Sequence, residues 1–381
     1  MKHFLCLVSL FISFLVKGQH SFSVSGTTGV FNNGDSIFIS AKYPFNAFFY
    51  YQKVEDSCMI TDHKFDFSLQ ASTPEFYIIN VKTKDGKKVW KWIFLEPTDT
   101  KILINDSALK HLILTGNKSA KDYTAFADRL QEIKPPKLYF DLFRQYDSLR
   151  NKNPLHASKI KSRIDSISEM VDKKKVEISL NWINEHSSSL INSYLIYYYL
   201  MPHQKDAQLK SEFYNLPPVS RKNSWGQELN YIVRNVITGC MALSFSEADT
   251  SGNEISLSDF LGKEKFILLD FWASWCGPCR QSDPALKAVY NEYKERKFTI
   301  IGISLDQSKK RWKEAIRKDK LNWPQVSDLK YWKNKTAQAY YVRSIPSNFL
   351  LDINGKIVGK NLTPEQLRRE LSILYKNLNR E

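Results

Sequence analysis

Two thiols separated by a Gly-Pro pair, in Trp275-Cys276-Gly277-Pro278-Cys279, are the groups in this 381-residue chain best suited to covalent chemistry. They follow a continuous apolar run over 265–273 and precede Leu286, Val289, Tyr290 and Tyr293 at helical spacing, so a strand-to-helix junction is expected to hold them. At such a junction the first sulfur faces unsatisfied N–H groups and the positive end of the helix dipole, which stabilises a thiolate. Cys276 is therefore the attacking nucleophile, with a lowered pKa. Two intervening residues in a helical turn bring Cys279 back to disulfide distance, making it the resolving thiol that expels the partner from a mixed disulfide. Pro278 suits the first helical turn, where its missing N–H is no loss.

Six positions ahead of Cys276, Asp270 interrupts the apolar run 266–272. Burial raises the pKa of a carboxyl, which could then exchange a proton with Cys279 as the disulfide opens and closes. The plainer alternative is a satisfied strand-end aspartate. Downstream, Ser344-Ile345-Pro346-Ser347 precedes another apolar strand. A cis proline there would bare a backbone edge for an extended substrate, although a strand-start proline looks the same in sequence.

Other chemistries find no anchor. Zinc needs a second ligand pair, and all 7 histidines lie at or before position 203. A c-type haem would need histidine where Arg280 stands. No H-E-x-x-H, Walker, G-x-G-x-x-G or G-x-S-x-G pattern occurs, so no metal and no nucleotide, nicotinamide or flavin cofactor is expected.

The elements that must position these groups fall into successive stretches. Short β-branched or aromatic runs at 22–24, 36–39, 64–69, 76–79, 90–95 and 101–104, separated by Asn-Gly, Asp-Gly and Pro signals, predict an all-β, sandwich-like domain over 19–118. Ile160, Ile164, Ile167 and Val171 recur at helical spacing and predict a helical region over 119–240, broken at Pro135-Pro136, Pro154, Pro202 and Pro217-Pro218. Within it, Tyr197-Tyr198-Tyr199 reads as helix core before it reads as a binding platform. From 241 to 381 strands and helices alternate: strands at 265–273, 298–305 and 347–351, a hairpin around Asn354-Gly355, and helices at 284–293, 309–318 and 364–374. This α/β unit holds every chemical group named above and is long enough for its own core, so it is expected to act alone.

Residues 1–18 read as a secretory signal peptide, with a positive start, an apolar run over 4–16 and a cleavage point before Gln19. The run is short for a membrane span, so membrane anchoring is expected only if it stays uncleaved. That places the mature protein in the periplasm or cell envelope. There Cys58 and Cys240 could form a bridge, but two buried free thiols are the preferred reading. Hydrophobic residues at 43% and charged residues at 25% describe a folded globular chain. The net charge of +15 is spread along the sequence, without the basic block that nucleic-acid binding would need.

The stretch Leu269-Asp270-Phe271-Trp272-Ala273-Ser274-Trp275-Cys276-Gly277-Pro278-Cys279-Arg280, the Ile345-Pro346 pair, and Phe349-Leu350-Leu351-Asp352-Ile353-Asn354-Gly355-Lys356-Ile357 resemble the thioredoxin superfamily, specifically its secreted TlpA/ResA-like thiol-disulfide oxidoreductases. The likeness covers the last third of the chain. A β-rich front before a helical region is similar to the layout of Bacteroidetes-type secreted thioredoxin proteins. The resemblance implies a C-terminal thioredoxin fold, Cys276 and Cys279 as the redox pair, Asp270 as the buried acid, a cis Pro346, and Trp275, Ile345 and Pro346 contacting substrate. It implies disulfide-bearing client proteins as partners and a membrane dithiol as electron donor. Gly277-Pro278 is the thioredoxin pairing and points to a protein-disulfide reductase; an oxidant or isomerase is the alternative, and an envelope binding or scaffold protein with an incidental redox domain is the competitor from another class. Peroxiredoxins share the fold but use a different cysteine context. Two departures stand out: Ile301-Gly302-Ile303-Ser304 lacks the lysine that thioredoxins place beside the buried acid, and Lys360-Asn361-Leu362-Thr363 lacks the usual glycine after the final hairpin.

Overall fold

Strict alternation of apolar and polar residues, as in Lys64-Phe65-Asp66-Phe67-Ser68-Leu69, buries one face of a strand and leaves the other wet. Sheets built this way must pair face to face, and in the computed structural model of the chain they do. The structure describes residues 20–42, 52–110, 112–133, 135–150 and 152–378; the segment read as a signal peptide, 1–18, lies outside them. The described residues form two compact units, divided after Glu132.

In the first unit the strands are β1 (His20–Thr28), β2 (Ser36–Lys42), β3 (Gln52–Met59), β4 (Lys64–Ala71), β5 (Glu75–Lys82), β6 (Lys88–Leu95), β7 (Thr100–Ile104) and β8 (Leu112–Thr115). They make two four-stranded sheets, β4-β1-β7-β8 and β3-β2-β5-β6. Val24, Phe67 and Ile104 from the first meet Ile37, Ile39 and Ile79 from the second in one core. Sequence patterning missed the edge strands β3, which is mostly polar, and β8, which is four residues long, while it found the other two edges, β4 and β6. An edge has one hydrogen-bonded neighbour and tolerates the polar run of Gln52–Met59 or a length of four residues. The unit closes with α1 (Lys118–Gln131), capped by the Asn117 side chain, which accepts from the Ala120 amide at 3.0 Å; Tyr123 of this helix packs edge-on against Phe76.

The second unit opens with α2 (Lys137–Leu149), α3 (Pro154–Glu185), α4 (Asn192–Leu195), α5 (Asp206–Asn215) and α6 (Ser224–Asn235). Pro154 occupies the first turn of α3, where it starts rather than breaks a helix, and the Ile160, Ile164, Val171 face is buried. After α4 the chain widens into a π-turn, Ile196–Leu200, then tightens into Met201–His203. Tyr197 and Tyr199 of that run pack against the core, while Tyr198 is exposed. No helix among the described residues is long and apolar enough to cross a membrane.

The α/β part follows. A hairpin that patterning did not foresee, β9 (Ser246–Ala248) and β10 (Glu254–Ser256), precedes β11 (Phe266–Trp272), α7 (Gly277–Tyr293), β12 (Phe298–Ser304), α8 (Lys309–Asp319), β13 (Gln325–Val326), α9 (Lys335–Ala339), β14 (Ser347–Asp352), β15 (Ile357–Lys360) and α10 (Pro364–Leu378). The sheet order is β13-β12-β11-β14-β15, with β12 parallel and β14 antiparallel to β11, the thioredoxin arrangement. Every residue of β11 and β12 is buried, which explains their largely apolar composition, Asp270 being the one charged residue in them. The helix after β11 begins seven residues before the expected Pro284 and carries that proline inside it, because the first turn is set by Cys276 as N-cap.

The α/β core does not end at residue 241. Leu229, Ile232, Val233 and Val236 belong to the same buried cluster as Tyr340 and Phe349, and Gly239 and Ala242 donate their amides to Ile357 and Gly355. A fragment starting at 241 should therefore keep the reactive residues yet unfold about 10 °C or more below a fragment spanning 133–381, because several buried side chains lose their cover. Calorimetry of the two fragments checks this, and equal midpoints would show that the helices add no stability.

Candidate active site

A sulfur at a helix start is useful only if the helix holds it there. Cys276 is the N-cap of α7, and its Sγ accepts the amide of Cys279 at 3.2 Å, one of the N–H groups the helix cannot satisfy itself. Cys276 and Cys279 are joined as a disulfide, with Cα atoms 5.3 Å apart. Both are nearly buried, 4% and 3% exposed. Cys58 and Cys240 are free thiols, each half-buried rather than buried. Burial pushes the Cys58 thiol up.

The loop carrying Cys276 is tied from beneath by Asp306. Its carboxylate accepts from the Ser274 amide at 2.9 Å, from the Ser274 hydroxyl at 2.5 Å and from the Ser304 hydroxyl at 2.7 Å. On the helix, Arg280 donates through Nε and Nη2 to the two oxygens of Asp319, at 2.6 and 2.8 Å, pinning α7 to the end of α8. Trp275 is 44% exposed and lies against the rings of Tyr331 and Trp332.

Asp270 sits in the middle of the sheet, opposite Gly302 of β12 and Asn348 of β14. No side chain or amide hydrogen-bonds its carboxyl among the described residues. Burial pushes its pKa up to about 7, and the charge of Asp283 adds to the rise. A side chain at position 302, the register partner of the acid, would displace the Gln325 carboxamide, which lies 2.3 Å from where its Cβ would stand and accepts from Trp272 Nε1.

Asp283 was not singled out by the sequence, although it lies four residues after Cys279 on one helix and so on the same face. It is 4% exposed, and one of its oxygens has no hydrogen-bond partner. Burial pushes it up to about 6, Asp319 adds to the rise, and Lys287 and Arg280 oppose it. Asp306 carried no sequence signal, because its contact to Ser274 spans 32 positions.

The peptide bond between Ile345 and Pro346 is cis. Phe271 lies opposite Ser347, so the 344–346 segment stands at the same end of the sheet as the loop that leads to Cys276. Ile345 packs on the core, and Pro346 is exposed.

Comparison with known proteins finds matches for both ends of the chain. Residues 238–360 match the AhpC/TSA family, and residues 22–123 match a domain of unknown function, DUF4369. The chain is 33% identical over 133 residues to the thiol-disulfide oxidoreductase ResA of Bacillus cereus, covering 35% of this chain and 73% of that protein. It is 32% identical over 139 residues to the ResA of Geobacillus kaustophilus, covering 36% and 77%. A solved thiol-disulfide oxidoreductase from Bacteroides fragilis is 38% identical, covering 35% of this chain and 98% of that one, with a TM-score of 0.34.

Proposed function

This chain belongs to the ResA-like thiol-disulfide oxidoreductases, and from that premise we propose that it reduces disulfides of cell-envelope proteins through Cys276 and Cys279. The observation that carries the reading is the disulfide at the N-terminus of α7, with a buried carboxyl in the adjacent strand.

In the reduced protein the Cys276 thiolate attacks one sulfur of a client disulfide, and the client's other sulfur leaves as a thiolate and takes a proton. Cys279 then gives its proton to the Asp270 carboxylate and attacks the Cys276 sulfur. The Cys276–client bond breaks, the client leaves with two thiols, and the protein keeps the disulfide, so two electrons have passed to the client. A carboxyl near pH 7 in proton affinity can take that proton and return it at neutral pH. Trp275, Ile345 and Pro346 flank the path by which a client approaches. Catalysis is assigned to residues 241–381. Residues 1–18 direct the chain to the periplasm or envelope, and a membrane dithiol donor restores the reduced state.

The Gly277-Pro278 pairing supports a reductase, with a potential nearer about −270 mV than the roughly −120 mV of a strong oxidant. Equilibration with defined glutathione buffers measures it. A value above about −150 mV would place the protein among oxidants, and alkylation of freshly quenched cells should find part of the Cys276–Cys279 pair reduced.

A further inference from the structure

The helices ahead of the α/β domain take no part in the chemistry above, yet they line a cavity that also reaches Pro346. Beside the 344–346 segment the second unit opens into a cavity of about 760 Å³, large enough for a few residues of extended chain. Met201, Gln204 and Lys205, on the turn after the π-helical stretch and at the start of α5, form one side, and Arg343, Ser344 and Pro346 form the other.

Its polar groups are unevenly satisfied. Four charged residues line it: Lys205, Asp206, Arg343 and Lys360. Asp206 and Lys360 pair with each other at 3.2 Å and Arg343 faces Glu228, which leaves Lys205 as the cation without an ion pair among those four. The Arg343 guanidinium lies over the Tyr341 ring at 3.6 Å with Nη2 3.8 Å from Glu228, and neither Nε nor Nη2 has a hydrogen-bond partner. The Gln204 carboxamide is closed off from solvent with both of its polar atoms unpaired. Buried amides left without partners are costly, and a ligand toward which they can turn removes that cost.

We infer that this cavity holds the stretch of client chain flanking the attacked cysteine and selects an acidic side chain there, seated among Lys205, Gln204 and Arg343. The helical region would thus be a specificity wall. This rests on the reading of Cys276 as the residue that engages clients. The shared position of Pro346, at the cavity and at the sheet end that carries the Cys276 loop, connects the two places.

The test uses the full chain, reduced beforehand, with two synthetic peptides that share one intramolecular disulfide and differ only in carrying Glu or Lys on both sides of its cysteines. The Glu peptide should be reduced about threefold faster or more, with the preference shrinking at high salt. Lys205 is exposed, so Lys205→Glu leaves the fold intact; it should abolish or invert the preference, and Gln204→Glu should weaken it. Equal rates for the two peptides with the wild-type chain, or an unchanged preference in Lys205→Glu, would overturn the inference and leave the oxidoreductase reading standing. Reduction of neither peptide would overturn that reading and the inference with it.

Discussion

Cys276→Ser should lower the rate of protein-disulfide reduction about 10⁴-fold or more, since the nucleophile is lost and no neighbouring group can replace it. Cys279→Ser should behave differently: Cys276 still attacks, nothing resolves, and a mixed disulfide through Cys276 accumulates in stoichiometric amount. The asymmetry follows from the helix start, where only the Cys276 sulfur occupies the N-cap and accepts an otherwise unsatisfied amide. Insulin reduction measures the first effect and intact mass after mixing with an oxidised client measures the second. A Cys279→Ser protein that turned over at the wild-type rate would sink the assignment. The same variant, expressed in the native envelope, should retain its clients for identification.

Asp270→Asn should slow the resolving step about 10²-fold while making the protein more stable at alkaline pH. The acid's ordinary value of 3.8 rises to about 7 in the fold, so folding takes up a proton between those two values. The Asp270 contribution to stability is therefore lost as pH rises from about 4 to about 7 and stays level above that, and the asparagine variant lacks this part of the decline while keeping the part that Asp283, raised to about 6, contributes. The gap between the two proteins should be absent below pH 4 and reach up to about 4 kcal/mol at pH 8. Asp283→Asn removes a like charge from beside Asp270, so the same stability decline should end at a lower pH, and the pH profile of the resolving step should move with it. Urea titrations across pH 4–9 read the stability, and stopped-flow decay of the mixed disulfide reads the step. A variant no more stable than wild type at pH 8 would show that Asp270 is charged and satisfied in the fold.

The two thiols, the acid in the strand before them and the proline ahead of β14 are all legible in short stretches of the chain. Local spacing suffices for these: an apolar run of seven residues dictates a buried strand, and a Cys-x-x-Cys turn brings two sulfurs together whatever else the chain does. The α3 face of Ile160, Ile164 and Val171 and the alternation in β4 were equally plain, because burial of one side imposes a period. The edge strand β3 escaped because its mostly polar run carries no alternation of apolar and polar residues. Asp306 beneath Ser274, Asp283 beside Asp270, and Arg280 locked to Asp319 depend on residues that approach one another only when β11, α7, β12 and α8 pack. The same holds for the joining of α6 to the α/β core and for the cavity between Gln204 and Arg343. Composition and periodicity describe which side of an element is buried, whereas proton affinity and selectivity depend on what lies across the gap, which long-range packing alone decides.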